Sequence, residues 1–250
     1  MTVLVAIENI EDINETIILT KDVFYGLKEA NASVAGFKVG QKVTYKDLLY
    51  GAFLPSGADA TNALALNISG SIDGFVKLMN NKVKELNLKN TNFVNTTGLD
   101  EDNHYSTVND VAIILKEALK NDVFKEIFTS KKYLISDKTL SFSSTLDKSL
   151  SAYSISADYI LGGKTGYTDA SGSTLVSYAE KDGLSLVCVV MRTNTVDQYL
   201  ETTALFDYCF QNFHAVLLAG SEADTTGDKM YKGIMGNQKG FVDLNEDAYV

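Results

Sequence analysis

The chain has 250 residues, 45% of them hydrophobic, enough for one substantial core or for one domain with a small appendage. The formal net charge is −10, so the broad basic face that a nucleic-acid footprint requires is missing and no nucleic-acid partner is expected. Cys188 and Cys209 both sit in apolar runs and read as buried free thiols. His104 and His214 lie far apart, without the cysteine or carboxylate spacing that would hold zinc, so no metal site is expected. No apolar run approaches membrane-spanning length, and "MTVLVAI" lacks the basic start, apolar length and cleavage site of a signal peptide. These features fit a cytosolic chain, or an exported protein already trimmed or incomplete.

In chain order, "MTVLVAIEN" reads as an uncapped helix and "TIILT" (Thr16 to Thr20) as a short strand. "VTYKDLLYGAFL" (Val43 to Leu54) reads as a helix stopped by Pro55, the sole proline, and a second helix runs from about Ala58 to Ile68. Ile72, Phe75, Val76, Met79, Val83 and Leu86 recur at spacings of three and four, the mark of an amphipathic helix. "NTNFVNTTGLDEDNHYS" is a long polar loop. Thr107 and Asp110 then stand at capping-box spacing before another helical run. "KEIFTSKKYLI" starts helical and is expected to end as a strand. "STLVSYAE" and "LSLVCVVMR" read as two strands joined by Lys181-Asp182-Gly183, a hairpin signal. Val196, Tyr199, Leu200, Thr203, Phe206, Phe210 and Phe213 predict one buried face of a following helix. From about Ala215 the tail is small and polar, with a strand hint in "GFVDL". Helices, then an antiparallel sheet, then a packing helix suggest an α+β fold.

"ILGGKTGYTD" sets Lys164 among Gly162, Gly163 and Gly166. A phosphate loop would need a glycine at position 158, where Asp158 stands, and a helix after the lysine, where a strand is expected. The alternative puts "YILGGKTGYT" on an edge strand whose glycines admit another backbone, such as a peptide added as a strand. Lys164 and Thr165 would then offer a charge and a hydroxyl to a terminal carboxylate or an oxyanion. Ser56 stands at the junction of two helices, where an N-cap is the ordinary role. His104 and Ser106 in "HYST" read as loop closure and helix capping rather than as catalytic groups.

Taken together, "LLYGAFLPSGADATNALA", "NTNFVNTTGLDEDNHYST" and "GGKTGYTDASG" resemble the serine-type D-alanyl-D-alanine carboxypeptidases, the low-molecular-mass penicillin-binding proteins, from Met1 to about Phe213. The resemblance implies a β-lactamase/transpeptidase-like fold with the motifs S-x-x-K, S-x-N and K-T-G. Ser56 matches the second-motif serine, a proton relay. Lys164, Thr165 and Gly166 match the third motif, with Lys164 catalytic and Thr165 and Gly166 substrate-binding. The implied substrate is a peptidoglycan stem peptide ending in D-Ala-D-Ala, with β-lactams acylating the intact form, in an extracytoplasmic setting and without metal or cofactor. Two departures stand out. The second motif reads Ser56-Gly57-Ala58, with a methyl in place of an amide. No serine in the chain has a lysine three residues on, so the nucleophile pair is absent and the leading strands of the sheet are expected to be missing with it. The expectation is therefore an N-terminally incomplete peptidase domain over residues 1–214 that binds peptide carboxylates without cleaving by this mechanism. Residues 215–250 would form a linker or the start of a β-rich domain, and any membrane association would come through other segments. The alternatives are a non-catalytic stem-peptide binding protein and, more remotely, a nucleotide-binding protein.

Overall fold

The computed structural model describes residues 1–216, 232–235 and 241–243. Helix α1 (Thr2–Glu8) starts without a side-chain cap and buries Val3 to Ile7. Strands β1 (Thr16–Ile18) and β2 (Lys42–Thr44) pair antiparallel. Thr44 then ends the strand and caps α2 (Tyr45–Phe53) in a reciprocal box with Asp47, so the helix begins two residues later than apolar spacing suggests. Helix α3 (Ala58–Ser69) stops at Gly70, in the left-handed conformation that favours glycine. Helix α4 (Ile72–Glu85) is capped by Ser71 and buries Phe75, Met79 and Val83, as its periodicity predicts.

The long polar loop carries no regular element beyond a bridge between Asn92 and Tyr105. Helix α5 (Val108–Ala118) is capped by Thr107, but only half of the expected box forms. The Asp110 carboxylate turns away to accept from Asn90 N at 3.0 Å and Thr91 Oγ1 at 2.7 Å, which ties down the loop's start. Helix α6 (Asp122–Thr129) leads into β3 (Lys132–Leu134), which pairs with β4 (Ser141–Ser143). Helix α7 (Thr145–Ala152) follows, capped by Ser144. Sequence reading left that region unassigned, although Ser144 and Asp147 stand at a helix-start spacing.

The central sheet is antiparallel, in the order β5 (Ile160–Thr168), β6 (Gly172–Lys181), β7 (Leu184–Thr193). Asp182 and Gly183 both have positive φ, 51° and 80°, the two-residue turn that matches strand twist. Helix α8 (Asp197–Asn212) covers one face, over Leu175, Ala179, Cys188 and Val190. The opposite face, with Val176 and Tyr178, joins the core built by α1 to α6. The buried side of α8 is rotated from the predicted one. Gln198 and Thr202 are buried with Tyr199 and Phe206, whereas Val196 and Leu200 stay exposed. Helix α8 starts only at Asp197, and ring contacts of Phe206 and Phe210 with Tyr159 set its rotation. Both cysteines are free, Cys188 buried and Cys209 partly so.

Strands β8 (Phe213–Val216), β9 (Lys232–Met235) and β10 (Phe241–Asp243) form a separate antiparallel sheet, with β10 where "GFVDL" hints at a strand. The remainder of the proposed appendage lies outside the described residues. The result is an α+β architecture with the glycine-rich strand at one edge of the central sheet.

The glycines of β5 do not leave room for an outside strand at every position. A Cβ on Gly162 would lie 2.2 Å from the Phe128 carbonyl oxygen of α6, and one on Gly163 would lie 2.8 Å from Leu146 of α7. The protein's own helices use that space. A Cβ on Gly166 would lie 2.6 Å from Thr174 Oγ1, a side-chain atom that can turn away at the cost of its 3.3 Å hydrogen bond to Gly166 O. Gly162→Ala, which meets backbone, should therefore cost about 1–3 kcal/mol, read as a lower urea-unfolding midpoint, whereas Gly166→Ala, which meets a side chain that can turn, should cost less. Equal midpoints for the two variants would contradict the close approach of α6.

Candidate active site

The site has two walls. The first is the elbow between α2 and α3. Pro55 ends α2, and Ser56 sits at φ 62°, a left-handed conformation that a non-glycine residue adopts at a cost. Gly57, not Ser56, occupies the N-cap position of α3, so the ordinary capping role of Ser56 is not realised. No Cβ fits at Gly57, since it would fall 2.6 Å from the Ala35 methyl and 2.7 Å from the Gly51 carbonyl oxygen. Hydrogen bonds from Gly57 N to Gly51 O at 2.9 Å and from Ala58 N to Ser33 O at 2.8 Å fix the elbow on both sides.

The buried Asp59 carboxylate fastens the loop that covers this elbow. It accepts from Ala35 N at 2.7 Å, Gly36 N at 3.0 Å and Phe37 N at 3.1 Å. Asn62 is equally committed, donating to Val23 O and accepting from Thr96 Oγ1 at 2.9 Å. Neither side chain is therefore available to replace the amide missing at Ala58.

The second wall is β5. Side chains alternate along a strand. Gly162 and Lys164 face α6 and the helical region, while Gly163 and Thr165 face α7, where Thr165 Oγ1 donates to Thr145 Oγ1 at 2.8 Å. Lys164 lies in the middle of a strand and opens no helix, which removes the phosphate-loop geometry.

Between the walls is a cavity of about 210 Å³ that Ser56 and Lys164 both line. Thr165 and Gly166 do not line it. Its hydroxyls come from Thr2, Ser56, Thr61, Thr96 and Thr97, and no carboxylate or amide side chain is among its lining residues. Thr2, Thr61, Thr96 and Thr97 each spend their hydroxyl on a hydrogen bond within the protein. The Ser56 hydroxyl makes none among the described residues. Thr96 and Thr97 were not singled out from sequence. The Asn95 side chain places them, accepting from Thr97 N at 3.2 Å and Gly98 N at 2.8 Å in a turn that "NTTG" spells. His104 is half-buried and accepts weakly from Val94 N, so it closes this loop, and burial lowers its pKa.

The remaining lining is apolar, including Phe53, Ile114, Leu115, Phe124, Phe128 and Val176. Lys164, only partly exposed, thus has few polar neighbours. Its ammonium donates to the Thr165 carbonyl oxygen at 2.6 Å and has no carboxylate within ion-pair distance among the described residues. Burial brings its pKa down to about 8.

The family model for D-alanyl-D-alanine carboxypeptidase, peptidase S11, matches residues 1–195. The chain belongs to this family. It is 35% identical over 211 residues to the D-alanyl-D-alanine carboxypeptidase DacF of Bacillus subtilis, covering 82% of this chain and 54% of that protein. It is 36% identical over 190 residues to DacA of Escherichia coli K12, covering 74% and 45%. The chain thus spans about half the length of these curated relatives. Among solved structures, the Streptomyces K15 DD-transpeptidase superposes with a TM-score of 0.75 at 27% identity, covering 84% of each chain. The D-alanyl-D-alanine carboxypeptidase of Mycobacterium tuberculosis H37Rv gives 0.73 at 29%, covering 84% of this chain and 80% of that one.

The depressed Lys164 pKa has a signed consequence for this carboxypeptidase-family chain. Below about pH 8 the lysine is charged both folded and unfolded, and the fold bears the lost hydration. Between about 8 and the ordinary 10.5 the folded chain binds fewer protons, so stability rises with pH across that window. Lys164→Met should be more stable than wild type at neutral pH, and the difference should close as pH approaches 10.5. Urea-unfolding midpoints from about pH 7 to about pH 10 check this, and a constant offset across the series would contradict it.

Proposed function

We propose that this chain recognises the carboxylate end of a peptidoglycan stem peptide terminating in D-Ala-D-Ala, as the part of a serine-type D,D-carboxypeptidase that carries the second and third motifs. One observation carries the reading: a Ser56 hydroxyl and a Lys164 ammonium that, among the described residues, have no hydrogen-bond partner and no acid partner respectively share one cavity. In this reading Lys164 supplies the charge that draws the terminal carboxylate, Thr165 adds a hydroxyl from the same strand, and Gly166 keeps the edge slim where the peptide lies. Ser56 passes a proton between the reacting groups.

In the complete reaction a serine oxygen attacks the carbonyl carbon between the two D-alanines. The C–N bond breaks, the terminal D-alanine leaves with a proton on its nitrogen, and water hydrolyses the resulting ester. The 250 residues contain no serine with a lysine three positions on, so the attacking step is not assigned to them, and they bind without cleaving by this route. β-Lactams would acylate the form that holds the nucleophile. The substrate places the protein's work in the cell envelope. Among the described residues no helix is long and apolar enough to cross a membrane. Residues 1–214 form the peptidase-type unit in this reading, and residues from 215 begin a linker or a β-rich unit.

Ala58 favours a second reading, a non-catalytic stem-peptide binding protein. Its methyl group can neither donate to nor accept from a substrate peptide, and Asp59 and Asn62 are committed elsewhere.

The test is calorimetric titration with an N-acylated D-Ala-D-Ala peptide and with its C-terminal amide. The free acid should bind about tenfold more tightly at neutral pH. Lys164→Gln should remove that preference. Equal affinities for acid and amide in the wild-type chain, or no heat from either, would overturn the proposal.

A further inference from the structure

We infer that Thr145, at the start of α7, is a positioning residue for carboxylate recognition, because it sets where the Thr165 hydroxyl points its proton. This rests on the reading of Lys164 and Thr165 as a carboxylate anchor. The two anchor side chains leave β5 on opposite faces, and only Lys164 lines the cavity. In that reading Thr165 serves a ligand from the strand's edge, and the orientation of its hydroxyl decides whether it serves at all.

A hydroxyl has one proton and two acceptor sites. In the structure the Thr165 proton is given to Thr145 Oγ1 at 2.8 Å, so it is not available to an anion. Thr145 Oγ1 donates to no other described group. The pair can reverse, with Thr145 donating to Thr165 and Thr165 donating to the carboxylate, once the Thr145 side chain turns slightly to aim its hydroxyl at Thr165 Oγ1. The backbones are already held, because Gly163 lets Leu146 of α7 seat against β5 with no room for a methyl group, since a Cβ there would lie 2.8 Å from Leu146 Cδ2. Leu146, next to Thr145, is buried in the core beneath α8. In the reversed chain Thr145 both fixes the Thr165 rotamer and polarises its hydroxyl towards the anion.

The test uses the same acid and amide peptides. Thr145→Val keeps the shape and removes the donor. It should weaken the free acid about threefold and leave the amide unchanged. Thr145→Ala should do the same, and Thr145→Ser should restore wild-type binding. In a Thr165→Val background, Thr145→Val should have no further effect. A purely structural role would weaken both peptides alike and would add to Thr165→Val, and either result overturns the inference. So does a wild-type preference for the acid that Thr145→Val leaves intact, which would spare the anchor itself. A wild-type chain with no acid preference overturns the anchor reading and this inference together.

Discussion

The shape of the serine wall depends on one buried carboxylate. Asp59 gathers three consecutive backbone amides, from Ala35 to Phe37, onto the first turn of α3. That grip seats the Phe37 ring against Gly51 of α2, where a Cβ would lie 2.7 Å from the ring, and edge-on to Phe142 of β4. It also brings Ala35 down onto Gly57. Ser56 is caught between these contacts in a backbone conformation it would not adopt on its own. Each amide stranded by loss of Asp59 would carry a desolvation cost of about 1–3 kcal/mol. The clamp therefore outweighs the strain it imposes on Ser56.

The lysine wall is built by a different constraint, close approach. Gly162 brings β5 against the last turn of α6, and Gly163 brings it against the first turn of α7. With both faces pressed in this way, the strand has no freedom to roll. Alternation then commits Lys164 to the apolar side, among Phe128, Phe124 and Val176. The bare setting of this lysine thus has two parts. The glycines before it serve the protein's own packing, and the glycine after it leaves the strand's edge narrow.

Much of this was legible in the sequence, for identifiable reasons. Helix α4 was plain because its apolar residues recur every three or four positions, and the β6–β7 hairpin was plain because Asp-Gly supplies two residues of positive φ. Motif order, not any local pattern, marks Ser56 and Lys164 as parts of one site, and both line the same cavity. What stayed hidden depends on long-range contacts. The commitments of Asp59 and Asn62 involve partners that only the fold brings near. The orientation of α8 was misjudged because Thr202 and Gln198 are polar yet buried, against the expectation that an apolar stripe marks the inner face. The Thr145–Thr165 contact joins residues whose proximity nothing in their spacing announces.

The composition of the cavity explains why a lysine suits it. Its side-chain oxygens are hydroxyls, and all but that of Ser56 are bonded within the protein. With a methyl at position 58, that wall gives the ammonium no amide oxygen, and its one acceptor among the described residues is the carbonyl oxygen of its own neighbour. The ammonium is therefore held among few polar partners, and desolvation brings its pKa down to about 8. A guanidinium would stay charged under the same conditions, spread over a planar fork that needs several acceptors. A compact ammonium needs few, and its charge is the part of the site left unanswered by protein. In the proposed reading an entering carboxylate would supply the missing counter-charge, and carboxylate selectivity would follow from an electrostatic imbalance that the fold sets up in advance, before any contact with the rest of a peptide is made.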